Sequence, residues 1–141
     1  MSLFDIFNIS GSGMSAQSIR LNTVASNIAN ADSVASSSGE TYKARHPVFQ
    51  AVLNGISDGG QTGSANAGVR VVDIVESQAD SVARYQPENP LADEKGFVYA
   101  PNINIVEEMA NMISASRSYQ SNVQVASTAK HLLTKTLTLG Q

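Results

Sequence analysis

Residues 104–139 read NIVEEMANMISASRSYQSNVQVASTAKHLLTKTLTL, and this stretch without Gly or Pro predicts one long helix. Asn104, with Glu107 three residues later, resembles a capping box, so the helix should begin near residue 104 and end at Gly140. Residues that are apolar or small recur at alternating steps of three and four, as an amphipathic helix requires. They are Met109, Met112, Ile113, Ser116, Tyr119, Val123, Ala126, Leu133 and Leu137.

The N-terminal segment carries a second helical pattern. Apolar residues lie seven apart, with Val24 and Ala25 widening the same face; they are Phe7, Met14, Leu21 and Ile28. Gly11 and Gly13 weaken this pattern, because each glycine costs about 1 kcal/mol relative to alanine in a helix interior. The sequence therefore predicts a continuous helix from about residue 13 to 31 and leaves open whether residues 1–12 extend it.

The middle of the chain changes from helical to extended periodicity. Residues 69–75, VRVVDIV, are largely β-branched and predict a strand. Further short strands are predicted within residues 42–53, 81–85 and 97–99. Two segments rich in Ser, Gly and Asn, 33–41 and 54–68, predict loops with few side chains to fix them.

These patterns predict an α+β fold, with long terminal helices paired as a coiled coil and a small β-rich module between them. The predicted division is an N-terminal helix over residues 1–32, a Ser-rich loop over 33–41, a β module over 42–101 and a C-terminal helix over 102–141. A chain of 141 residues allows about one domain of ordinary size.

The terminal helices are poor in charge. Residues 6–31 contain one charged side chain, Arg20, and the C-terminal helix beyond Glu108 has only Arg117, Lys130 and Lys135. Helices on the surface of a soluble monomer usually carry charges on their outer face, so this depletion favours packing on several sides and a subunit of a helical polymer. The alternative is that the apolar stripes of the two helices form only the internal core of one subunit.

The predicted assembly interface consists of Met14, Leu21, Val24 and Ile28 on the first helix and Met112, Tyr119, Val123, Ala126 and Leu133 on the second.

Composition and spacing argue against catalysis, cofactors, metals and nucleic acid. The net charge is −3, Lys and Arg form no cluster, and cysteine is absent. His46 and His131 have no acid at ligand or relay spacing, and the adjacent pairs Glu107–Glu108 and Asp93–Glu94 point in different directions. We therefore expect a protein that is not an enzyme and has no catalytic, cofactor or metal site.

The first residues, MSLFDIF, lack the basic start and apolar run of a signal peptide, and no stretch approaches the roughly 20 apolar residues of a membrane span. We expect no direct membrane insertion and, if the protein is exported, no cleaved signal peptide.

Several motifs resemble a known family. Residues 13–17, GMSAQ, and 25–31, ASNIANA, are similar to the N-terminal region of flagellar axial proteins, which include rod, hook and hook–filament junction proteins. Residues 85–98, 101–109 and 112–123 resemble a subgroup of short rod proteins more closely. One departure is the Ser-rich stretch from Asp32 to Thr41, where many axial proteins have a shorter Thr-Pro-Gly-Tyr sequence.

This resemblance implies a structural subunit of the proximal rod of the bacterial flagellar basal body, spanning the periplasm and forming the drive shaft and the wall of the export channel. It implies export by the flagellar type III apparatus, and as partners further copies of itself, other rod proteins, the basal-body adaptor and the membrane-ring proteins. The alternative is a type III secreted adaptor or effector whose helices fold on one partner.

Overall fold

The fold was analysed in a computed structural model, which describes residues 3–54 and 66–139. Along the chain, four strands lie between two helices. The elements are, in order, α1 (Leu3–Asn30), β1 (Arg45–Asn54), β2 (Asn66–Glu76), β3 (Val82–Tyr85), β4 (Phe97–Ala100) and α2 (Ile105–Leu139). The predicted α+β class is confirmed, and the four strand candidates coincide with the four strands. Most of the Gly-rich loop predicted over residues 54–68 lies outside the described residues.

Helix α1 begins at Leu3, about ten residues before the predicted continuous part, and runs through both glycines without a break. Ser12, between them, donates a hydrogen bond to the carbonyl of Ile9 (2.8 Å), which helps the backbone through this weak region. Tertiary packing also stabilises the helix here, because the side chain of Asn122 on α2 lies directly against Gly13.

Helices α1 and α2 pack along each other in antiparallel directions. Arg20 donates a hydrogen bond to Asn111 (2.9 Å), Asn27 donates to Glu108 (3.1 Å), and Asn122 lies against Gly13. As the residue number rises along α1, that of its partner on α2 falls. At about 1.5 Å per residue, the 35 residues of α2 extend for roughly 50 Å.

The first turn of α2 is capped as the sequence predicts. The Asn104 side-chain oxygen accepts hydrogen bonds from the backbone N–H groups of Val106 (3.1 Å) and Glu107 (3.4 Å). The next residue, Glu108, is buried and points into the junction with α1.

Strands β1 and β2 form a long antiparallel hairpin that lies against α1. Its register pairs Arg45 with Glu76 at the open end, and a bulge follows Val48. The backbone N–H of Val69 donates to the Ser12 hydroxyl (3.2 Å), and the carbonyl of Arg45 accepts from Asn27 (2.9 Å). The hairpin is thus fastened to α1 near both ends of its described part.

Strands β3 and β4 form a second, smaller antiparallel sheet. The Ser-rich segment, predicted to have few fixing side chains, is tied to it through the backbone: Ala35 and Tyr99 exchange two hydrogen bonds of 2.9 and 3.0 Å. Val98 and Ala100 of β4 are fully buried, so this sheet contributes to the apolar core.

Candidate assembly interface

The structure separates the nine predicted interface residues into two groups. Val24 is buried, and Met14, Leu21, Ile28, Met112, Ala126 and Leu133 are partly buried. Tyr119 and Val123 remain open to solvent, with 37% and 41% of their surface exposed. Val24 lies between Arg20 and Asn27, which both contact α2, so it belongs to the contact between the two helices.

The contact between the helices, which we call the seam, is made largely of small and polar residues. On α2 it contains Glu108, Ala115 and Ala129, all buried, together with Asn122 against Gly13. These four positions are seven residues apart, the repeat expected of helices that wind around each other. A search for large apolar side chains misses this repeat, although a search for small and polar residues with a period of seven would find it.

Because the seam uses small residues, larger apolar side chains of α2 are left facing solvent. Val106, Met109 and Ile113 are spaced by three and four residues along one face and are 75%, 53% and 56% exposed. Val125 and Leu132, seven apart, are exposed on another face, and Leu137 is exposed near the end of the helix. These six residues were not among the predicted interface residues.

A groove adjoins the Val125 face. Ile6, Val125 and Leu132 are among the residues lining this open groove of about 480 Å³ between the start of α1 and the second half of α2. An open apolar groove of this kind suits a side chain or a helix from another molecule.

The β1–β2 hairpin also presents apolar side chains to solvent: Val48, Phe49, Val72, Ile74 and Val75 are all exposed. A two-stranded hairpin is marginally stable in water unless one face is packed. Here α1 packs against only part of it, so the hairpin offers a second apolar surface beside the helices.

Charges contribute little to either surface. Arg45 of β1 pairs with Glu76 of β2 (3.4 Å), and Arg84 of β3 pairs with Asp32, which follows α1 (3.8 Å); both ion pairs are largely exposed. Exposed pairs of this kind contribute at most about 1 kcal/mol each. Helix α1 and the part of α2 beyond Glu108 contain few charged side chains, which favours apolar contacts and shape in any association through the helices.

His46 and His131 are both exposed, and residues 3–54 and 66–139 contain no group of three or more His, Asp or Glu side chains placed to hold a metal ion. One cavity, lined in part by Thr41, Tyr42 and Ala44, has a volume of about 20 Å³, which is room for roughly one water molecule.

The same described residues include no helix that is both long enough and apolar enough to cross a membrane.

Comparison with known proteins identifies similar sequences along the whole chain. Residues 7–35 match the family described as "Flagella basal body rod protein", and residues 94–139 match "Flagellar basal body rod FlgEFG protein C-terminal". The two matches cover most of α1 and all of α2.

Full-length relatives share the same description, "Flagellar basal-body rod protein FlgC". The relatives from Escherichia coli O6:H1 and Yersinia enterocolitica are each 52% identical to this chain over 141 residues. One from Buchnera aphidicola subsp. Acyrthosiphon pisum is 42% identical over 143 residues. In all three the similarity covers 100% of both chains.

Proposed function

Since this chain belongs to the FlgC family of flagellar basal-body rod proteins, we propose that it assembles into the proximal rod through the outward faces of its two terminal helices. It is a structural subunit of the rod and not an enzyme. Its partners are further copies of itself and other components of the flagellar basal body.

The observation that carries the assembly proposal is the direction of the large apolar side chains on α2. The contact with α1 is filled by small or polar residues such as Ala115, Asn122 and Ala129, whereas Val106, Met109 and Ile113 face solvent. Contiguous exposed apolar surface on a soluble chain is typical of a protein–protein interface. The helices are therefore built with one side for their own partner helix and other sides for neighbours.

The proposed pairing of α1 with α2 as an antiparallel coiled coil is supported by the repeat of seven in the seam. Several different faces of this pair then contact different neighbours. Contacts between unlike surfaces that do not close into a ring generate helical tubes, which is the architecture that a rod with a central export channel requires.

The finer assignments rest on membership of the family. We propose that the assembled chain spans the periplasm, that it contacts the basal-body adaptor and the membrane-ring proteins, and that the flagellar type III apparatus exports it without cleaving a signal peptide. The Ser-rich segment 33–41, whose side chains are mostly exposed, is the proposed site of a contact specific to the rod.

The test of the assembly proposal is Val123→Asp, with Gln120→Asp as the control. Both residues are exposed on α2, and both substitutions add one negative charge. If Val123 becomes buried between subunits, its replacement puts an unpaired carboxylate in an apolar contact, at a cost of several kcal/mol per subunit. We expect Val123→Asp to fold and be exported but to prevent rod completion, and Gln120→Asp to have the smaller effect.

Rod assembly and motility would be measured at matched expression. A motile Val123→Asp strain with intact basal bodies would show that this face is not an assembly contact. A discrete one-to-one complex with a single partner, in place of incorporation into the rod, would favour an adaptor over a rod subunit.

A further inference from the structure

Asn27 occupies an unusual position for an amide side chain, since none of its surface is exposed. Its Nδ2 donates to the carbonyl of Arg45 (2.9 Å) and to a carboxylate oxygen of Glu108 (3.1 Å). Its Oδ1 accepts from the backbone N–H of Arg45 (2.9 Å) and from the hydroxyl of Tyr42 (3.0 Å). Two donor and two acceptor contacts satisfy the full capacity of an amide side chain.

These four contacts, which we call the polar joint, come from three parts of the chain. Asn27 lies on α1, Tyr42 and Arg45 lie at the entry to β1, and Glu108 lies in the first turn of α2. The joint is therefore the point at which both helices and the β module are held to one another. The Tyr42 hydroxyl is also 3.1 Å from the hydroxyl of Ser26, which helps to orient it.

Apart from the Arg20–Asn111 hydrogen bond and the contact of Asn122 with Gly13, the seam discriminates weakly between alternative registers of the two helices. Its α2 positions repeat every seven residues, and Ala115 and Ala129 are small enough to pack in more than one alignment. A slip of seven residues would preserve the overall pattern of the seam. It would, however, bring Ala115 or Pro101 to the position that Glu108 occupies opposite Asn27.

Such a slip would leave the amide of Asn27 and the carboxylate of Glu108 buried without each other. Leaving a buried polar group without its partner costs more free energy than a typical hydrogen bond contributes, and the cost is higher still for a charged group. One buried asparagine can fix the alignment of a pair of helices by this means, at the expense of some stability.

We propose that Asn27 is a positioning residue that fixes the axial register of α1 against α2, so that the rod subunit presents one fixed arrangement of outer surfaces. These contacts lie within one chain, so Asn27 would fix the register in the same way whatever neighbours the subunit has in the rod.

The test uses engineered cysteine pairs, which the chain permits because it has no cysteine of its own. A Cβ atom placed on Gly13 would lie 3.1 Å from Cγ of Asn122, so Gly13→Cys with Asn122→Cys reports the observed register. Gly13→Cys with Ala115→Cys, or with Ala129→Cys, reports a slip of seven residues in one direction or the other.

Disulfide formation by the full-length chain would be measured at equilibrium in a thiol–disulfide buffer. The three pairs close loops of nearly equal length, so chain entropy alone gives them nearly equal effective concentrations. With Asn27 present, we expect the 13–122 pair to dominate. In the Asn27→Leu background, we expect one shifted pair to rise about tenfold relative to the 13–122 pair.

Asn22→Leu is the control, because it makes the same chemical change at an exposed position of α1. It should leave the preference for the 13–122 pair unchanged. Loss of the 13–122 disulfide in Asn27→Leu without a rise in either shifted pair would show that Asn27 only adds stability, and would overturn the proposal. An unchanged preference would overturn it as well.

Tyr42→Phe provides a second test if Asn27→Leu does not fold. It removes one hydrogen bond to Asn27 while keeping the aromatic ring in place. We expect a smaller rise of a shifted pair at unchanged helical circular dichroism, and no rise at all would contradict the proposal.

Discussion

Gly11 and Gly13 lie two residues apart in α1 but have different surroundings. A Cβ atom added at Gly11 would meet nothing within 4 Å, whereas one at Gly13 would lie 2.9 Å from Nδ2 of Asn122. That amide is itself fixed, since it donates to the carbonyl of Ser118 (2.9 Å). The same residue type is therefore replaceable at one position and required for packing at the other.

We expect Gly11→Ala to stabilise the protein by about 1 kcal/mol, the difference in helix propensity between the two residues. Gly13→Ala has the same intrinsic gain but must displace Asn122, so it should stabilise less or destabilise. The free energy of unfolding from urea titration of the purified chain measures both. Asn122→Ala should restore the missing gain of Gly13→Ala, and equal effects of the two glycine substitutions would contradict the observed seam.

Among the elements, the connection from β3 to β4 depends on one carboxylate. Oδ1 of Asp93 accepts hydrogen bonds from the backbone N–H groups of Phe97 and Lys95, both at 2.9 Å. These bonds, that from Phe97 foremost, hold the pKa of Asp93 below its ordinary value of 3.8 although partial desolvation opposes them. Gly96 completes the turn with a φ of 81°, a left-handed backbone conformation that glycine adopts more readily than other residues.

This geometry predicts a pH-dependent contribution to stability. Because the pKa of Asp93 is lower in the folded chain, its contribution is present above about pH 4 and is lost as the pH falls through the folded-state pKa. Asp93→Asn should therefore lower the free energy of unfolding near neutral pH, and this effect should shrink as the pH falls through the lowered pKa of the folded chain. Glu94→Gln removes a charge from the neighbouring exposed residue as a control, and a pH-independent effect of Asp93→Asn would refute the prediction.

At the scale of the elements, the sequence was sufficient to predict the long helix α2 and the approximate positions of the strands. Absence of Gly and Pro defined α2, and the cap at Asn104 is confirmed by its hydrogen bonds. The sequence did not predict where α1 begins. Helix propensity penalises Gly11 and Gly13, whereas the tertiary contact with Asn122 favours a glycine at position 13. Local propensity contains no information about that contact.

The sequence also could not determine which side of α2 faces α1. A stripe of large apolar residues normally marks the internal contact, but Val123 and Tyr119 are exposed and Ala115 and Glu108 are buried. The buried carboxylate of Glu108 would not be expected without Asn27, which is far away in the sequence. The predicted interface residues thus remain a hypothesis about contacts between subunits.

For the whole molecule, the proposed route out of the cytoplasm gives a prediction about secretion. We expect the full-length chain to reach the exterior of cells with a functional flagellar type III apparatus and to remain inside cells that lack it. A non-motile strain with the export apparatus intact is the control, because it separates export from motility. Equal secretion in the absence of the apparatus would exclude this route.

The central claim, that outward faces of the terminal helices contact other subunits, is tested most directly by photo-cross-linking from position 123. A photoreactive amino acid replacing Val123 would be activated in isolated basal bodies and, separately, in the dilute purified chain. The account predicts products heavier than the 14.8 kDa chain in basal bodies and none in the dilute chain. Intact basal bodies in which position 123 cross-links only within its own chain would contradict it.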